Sequence, residues 1–109
     1  MPQCKKCRKK GLFLKLERRT GLCLSCNTAF MKSSRELTEK ITEDANLIQG
    51  LDDPKAIVSR CDQVEENAHK LISLHKEYSL EVGLLLMQIV NRCRQIKQKT
   101  LDDYVAAKS

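Results

Sequence analysis

Cys4-Lys5-Lys6-Cys7 and Cys23-Leu24-Ser25-Cys26 are two C-x-x-C pairs near the start of the chain. Fifteen residues separate them, and two C-x-x-C pairs so spaced can close one tetrahedral four-thiolate site. Zinc is the metal expected there, because it favours four soft thiolates and does no redox chemistry; iron in a rubredoxin-like site would use the same ligands. Four protein ligands leave no position for water or substrate, so the expectation is one structural zinc held by Cys4, Cys7, Cys23 and Cys26. The competing reading of the same residues is free core thiols or two redox-active pairs.

The residues between the pairs suggest how the site is built. Leu12, Leu14 and Leu16 alternate with Phe13 and Lys15, the period of a β-strand. Glu17-Arg18-Arg19-Thr20-Gly21 reads as a turn, and Leu22-Cys23-Leu24 as the start of a return strand. A hairpin this short is not stable alone, and a metal at its base would supply the missing free energy. Zinc knuckles often carry glycine after their second cysteine; Arg8 stands there, which makes Gly11 the first freely turning residue. Asn27 to Met31 predicts a short helical turn, with Phe30 placed to cover the metal site.

A C-x-x-C knuckle, a hairpin, and then Gly21-Leu22-Cys23-Leu24-Ser25-Cys26-Asn27-Thr28-Ala29-Phe30-Met31-Lys32 entering a helix resembles a treble-clef finger or the related zinc ribbon. In treble clefs the first ligand pair sits on a knuckle and the second on the first turn of a helix. The module is similar to GATA-type fingers, which enter their helix with a comparable Leu-Cys-x-x-Cys. It also resembles the N-terminal zinc module of small bacterial and phage zinc-finger proteins. The resemblance implies that the four cysteines are metal ligands and nothing further. GATA-type fingers have a longer loop between the pairs, glycine where this chain has Asn27, and a hairpin tryptophan that this chain lacks. Their DNA sequence recognition therefore does not carry over.

Beyond the finger the pattern turns helical. Ser33-Ser34-Arg35-Glu36 has the form of a capping box, and Leu37, Ile41, Ala45 and Ile48 define one buried face that Gly50 ends. Asp53-Pro54 predicts a fresh helix start. Ile57, Cys61, Val64, Ala68, Leu71, His75 and Tyr78 then step alternately by four and three, a heptad seam. From Leu80 to Val90 the chain is apolar nearly all round, which calls for partners on more than one side. The expected division is a finger over 1–32 and a helical, self-associating region over 33–109, with helices at about 33–49, 54–77 and 81–107. A single long helix over 54–107, paired with a second chain, is the alternative to a hairpin turning near 78–81. The fold class is thus mainly α: an N-terminal four-cysteine zinc finger with a short β-hairpin, followed by a helical hairpin or bundle.

Charge separates the two parts. The chain has 109 residues and a net charge of +6, with 41% hydrophobic residues, 4% aromatic and no tryptophan. Residues 1–32 hold nine Lys and Arg against Glu17 alone, a charge of +8, so the remainder sums to −2. A zinc with four thiolates would lower the finger to about +6. Lys5, Lys6, Arg8, Lys9, Lys10, Lys15, Arg18 and Arg19, with Lys32, are therefore the candidate contacts for a DNA or RNA backbone. The bland alternative is a solvated surface that offsets the metal centre. Phe13 could stack on a base or cover the module.

Other functions find less support. No G-x-G-x-x-G, P-loop or G-x-S-x-G motif occurs, and the acidic pairs Asp52-Asp53, Glu65-Glu66 and Asp102-Asp103 are sequence neighbours, which suits caps and solvated faces. An enzyme is not expected. Cys61 and Cys93 fall on helical seams, where cysteine commonly acts as a small hydrophobe; a second metal site with His69 or His75 is the alternative. No apolar run reaches membrane-spanning length, and no apolar signal segment follows Met1-Pro2-Gln3-Cys4, so a reducing cytoplasm is expected. Expected partners are DNA or RNA through the finger and a second copy through the helices. A protein partner docked on the helical stripe, with a purely structural finger, is the rival reading.

Overall fold

The computed structural model describes residues 2–108. Three helices follow the finger: α1 (Leu24–Ile48), α2 (Pro54–Glu77) and α3 (Leu84–Lys108). Phe30 meets His75, and farther along α1 Asp44 meets Arg60, so α1 and α2 are antiparallel. Glu65 pairs with Arg94 and Asp62 with Lys97, so α3 runs back along α2 in its turn. The chain is folded as a hairpin over 54–108, and the single long helix is excluded. The molecule is a rod of 69 × 17 × 16 Å. Its radius of gyration, 18.6 Å, exceeds the roughly 13 Å expected of a compact chain this long.

α1 begins nine residues before the expected start. Cys23 is its N-cap residue, in extended conformation, and the Cys23 carbonyl accepts from Asn27 N–H at 2.8 Å. Between Cys26 and Ser33 nothing stops a helix once its first turn is formed, because extension adds a hydrogen bond for each residue fixed. The Ser33 capping box is therefore bypassed, and Ser34 lies inside the helix, its carbonyl accepting from the Thr38 hydroxyl at 2.7 Å. One helix thus belongs to both the finger and the bundle.

α2 starts as its sequence indicates. Asp53 Oδ1 accepts from Lys55 N–H at 3.2 Å, with Pro54 in the first turn. It ends in a Schellman arrangement: Leu80 N–H donates to the His75 carbonyl at 2.8 Å and Ser79 N–H to the Lys76 carbonyl at 3.1 Å. Ser79 takes the left-handed conformation this requires, φ 57°. α3 starts at Leu84 rather than 81.

The core of the helical part is one narrow seam. Ile41 and Ile48 of α1, Cys61, Val64, Ala68 and Leu71 of α2, and Val90 and Cys93 of α3 form a single buried cluster. A thin rod cannot cover every apolar residue. Leu84 and Leu85, at the start of α3, remain 74% and 70% exposed. Asp44 is the buried charge among the described residues, answered by Arg60 at 2.8 Å.

Candidate metal centre and basic surface

No β-strand forms among the described residues, so the expected β-hairpin is not present. Two isolated antiparallel bridges take its place, Gln3 with Lys10 and Leu16 with Cys23. The reason lies at Gly11, whose carbonyl accepts from Leu14 N–H at 3.2 Å and turns the chain where a strand would run. Leu14 and Leu16 pack inward, whereas Leu12 and Phe13 are left at the tip of that turn, 73% and 95% exposed.

The first ligand pair sits on a tight loop. Cys4 N–H donates to the Lys9 carbonyl and Arg8 N–H to the Cys4 carbonyl, each at 3.1 Å. Arg8 itself adopts φ 65°, the conformation glycine adopts most easily, so the chain already turns at Arg8, before the turn at Gly11. The second pair sits on the first turn of α1, with Cys23 as N-cap. The loops are joined by Lys5 N–H donating to the Gly21 carbonyl at 3.3 Å. Gly21 takes φ 69°, where a residue with a side chain is strained, and a Cβ there would also displace the flexible end of Lys5, whose Cε would lie 2.8 Å away.

These elements place all four Sγ atoms within 4.8 Å of one another. Cys7 and Cys23 Sγ are 3.8 Å apart, about the edge of a tetrahedron with 2.3 Å metal–sulfur bonds. The four cysteines are positioned to hold one metal ion, and the donor set fits one chemically. Burial tends to raise the Cys4 thiol, but backbone N–H groups of Cys23, Cys7 and Lys6 and the Cys7 side chain bring it down to about 6. Burial, then the sulfurs of Cys23, Cys4 and Cys7, push the Cys26 thiol up to about 12. Without a cation the cluster favours one thiolate and resists the last; a coordinated divalent ion removes that conflict. No other group of three or more metal-ligating side chains occurs among the described residues, so no second site forms around Cys61 and Cys93. His69 instead lies beside Glu65, and His75 Nδ1 is 2.8 Å from the Leu71 carbonyl.

The finger is fastened to the bundle by Phe30. Buried beside Cys4, Leu22 and Cys23, its ring meets His75 edge-on at 5.1 Å and Tyr78 at 5.3 Å. Lys6 adds an ion pair to Glu77 at 3.0 Å and lies 5.3 Å above the Tyr78 ring. This use of Phe30 and Lys6 joins residues far apart in sequence and had no signal there.

Lys5, Lys6, Arg8, Lys9, Lys10, Lys15, Arg18 and Arg19 are all exposed, and Lys6 is the member of this set with a carboxylate partner among the described residues. Glu17, the one acid of the finger, is used locally: its Oε2 accepts from the N–H groups of Arg19 and Thr20, both at 3.0 Å. That turn presents Arg18 and Arg19 outward. Asn27, where GATA-type fingers have glycine, ties the turn to α1, its Oδ1 accepting from the Thr20 hydroxyl at 2.9 Å.

The architecture is a cluster of four cysteines, positioned to hold one metal ion, mounted on a three-helix rod. Compared with protein-family models, with curated proteins and with solved structures, the chain has no significant match. No helix among the described residues is long and apolar enough to cross a membrane.

Proposed function

We propose that this chain is a non-enzymatic zinc protein that binds nucleic acid through its finger. The observation that carries the reading is Phe13. An aromatic ring 95% exposed to water serves no packing purpose, and in the sequence it falls between Lys9-Lys10 and Lys15, all exposed. Cations that neutralise phosphates beside a ring that can stack on a base are the two elements of single-strand binding. Zinc in the four-cysteine centre has a structural part: it fixes both loops so that the cations are presented together.

The test is binding of labelled single- and double-stranded oligonucleotides across a salt series. Affinity falls steeply with salt, and reversing Arg18 and Arg19 to Glu lowers the log–log slope by about 1.4 for a single strand. Absence of binding at low salt overturns the reading. The second reading, a protein–protein adaptor whose finger is purely structural, rests on Leu84 and Leu85, whose exposure leaves an apolar surface where α3 begins. The same oligonucleotide titration separates the two: no binding at low salt leaves the adaptor, and salt-dependent binding removes a purely structural finger.

A further inference from the structure

A groove of about 480 Å³ lies where the finger meets the turn between α2 and α3. Its walls differ in chemistry. Lys5 and Arg19 line it from the finger, His75 and Glu81 from the helical side, and Phe30 and Leu80 supply apolar surface. Neither cation is ion-paired with Glu81 among the described residues, so both charges remain available to a ligand. The His75 tautomer is fixed by its neighbour: a carbonyl only accepts, so Nδ1 carries the proton donated to Leu71, and Nε2 of the neutral ring is an acceptor. The groove is therefore lined by two cations together with a carboxylate and an imidazole that accepts at Nε2 when neutral, in a volume suited to one small ligand unit.

Resting on the nucleic-acid reading above, we propose that this groove takes one nucleotide of a single strand. Lys5 and Arg19 hold its phosphate. Glu81 and His75 Nε2 accept from the Watson–Crick edge of its base. The two hydrogens of cytosine's N4 amino group can satisfy both acceptors, whereas uracil offers a single N3–H flanked by two carbonyl oxygens that face the acceptors unfavourably. In a duplex that edge is already paired, so the site selects single strands. Cytosine is favoured over uracil by about fivefold or more, the range of one good carboxylate–amino contact.

The experiment measures anisotropy of labelled C12 and U12 RNA with the native chain and with Glu81→Gln, and follows the His75 ring signals by NMR. Glutamine presents a donor as well as an acceptor at an exposed position. The expected result is a C12 preference that collapses to within about twofold in Glu81→Gln with the salt slope unchanged, together with a His75 shift on adding C12. An unchanged preference in Glu81→Gln, no preference at all, or an unmoved His75 signal, with salt-dependent binding intact, overturns the groove and leaves the finger reading standing. No binding to either oligomer at low salt overturns both. Free CMP displacing C12 as effectively as unlabelled C12 does would overturn the strand as occupant.

Discussion

Replacing Phe30 by alanine removes the one ring that is buried against the metal loops and the bundle together. Phe30 is 5% exposed, so the substitution deletes an almost fully buried side chain, a change that costs about 3–5 kcal/mol in protein cores. Part of this is specific to its two aromatic neighbours, His75 at 5.1 Å and Tyr78 at 5.3 Å, each pair contributing about 0.5–1.5 kcal/mol. Small domains are stable by only about 5–15 kcal/mol, so F30A loses a large share of the total. Urea unfolding followed by helical circular dichroism measures it. A double-mutant cycle with Tyr78→Leu then isolates the ring–ring part, expected as a coupling of about 0.5–1.5 kcal/mol. A loss below about 1 kcal/mol for F30A, or strict additivity with Tyr78→Leu, refutes the claim that Phe30 joins finger and bundle.

Three further outcomes follow from particular residues. Ser79 bears a side chain at φ 57°, so S79G stabilises the chain by about 0.5–1 kcal/mol and raises the thermal midpoint by a few degrees; a lowered midpoint contradicts the cap. Arg60→Ala leaves Asp44 buried without its partner and costs about 1–3 kcal/mol, more than Asp44→Ala, because the 40%-exposed Arg60 side chain can turn to solvent; equal losses in chemical denaturation refute this asymmetry. Burial, with Cys93 and Asp62 nearby, pushes the Cys61 thiol up to about 11 from its ordinary value near 9. The folded state thus prefers the protonated thiol, and its contribution is full below pH 9 and is lost as the pH rises through 11. Urea midpoints of the metal-loaded protein between pH 8 and 11 fall less steeply in Cys61→Ala than in the native chain, and parallel curves contradict the assignment.

How far the fold can be read from sequence varied with how local its cause was. α2 was legible at both scales, because Asp53-Pro54 is a self-contained start signal and Cys61, Val64, Ala68 and Leu71 keep the heptad spacing. The start of α1 was not, because its N-cap is Cys23, a residue that reads as a ligand rather than a cap, while the capping box at Ser33 drew the boundary inward. The turn after α2 carries neither proline nor glycine at its left-handed position, and Ser79 gives no such cue. The alternation at Leu12, Leu14 and Leu16 suggested a strand, and the turn begun at Gly11 breaks it. At the metal centre, spacing alone named the four cysteines. The Asp44–Arg60 pair and the groove beside Lys5, Arg19 and Glu81 were invisible, since each is assembled from segments brought together by packing.

The central claim is that Cys4, Cys7, Cys23 and Cys26 hold one metal ion whose part is to fix a basic surface. Native mass spectrometry of the purified chain tests it most directly. One zinc ion per chain is expected, retained through dilution and lost in both Cys4→Ser and Cys26→Ser. A metal-free chain whose finger amides remain as well dispersed by NMR as those of the helices would contradict it.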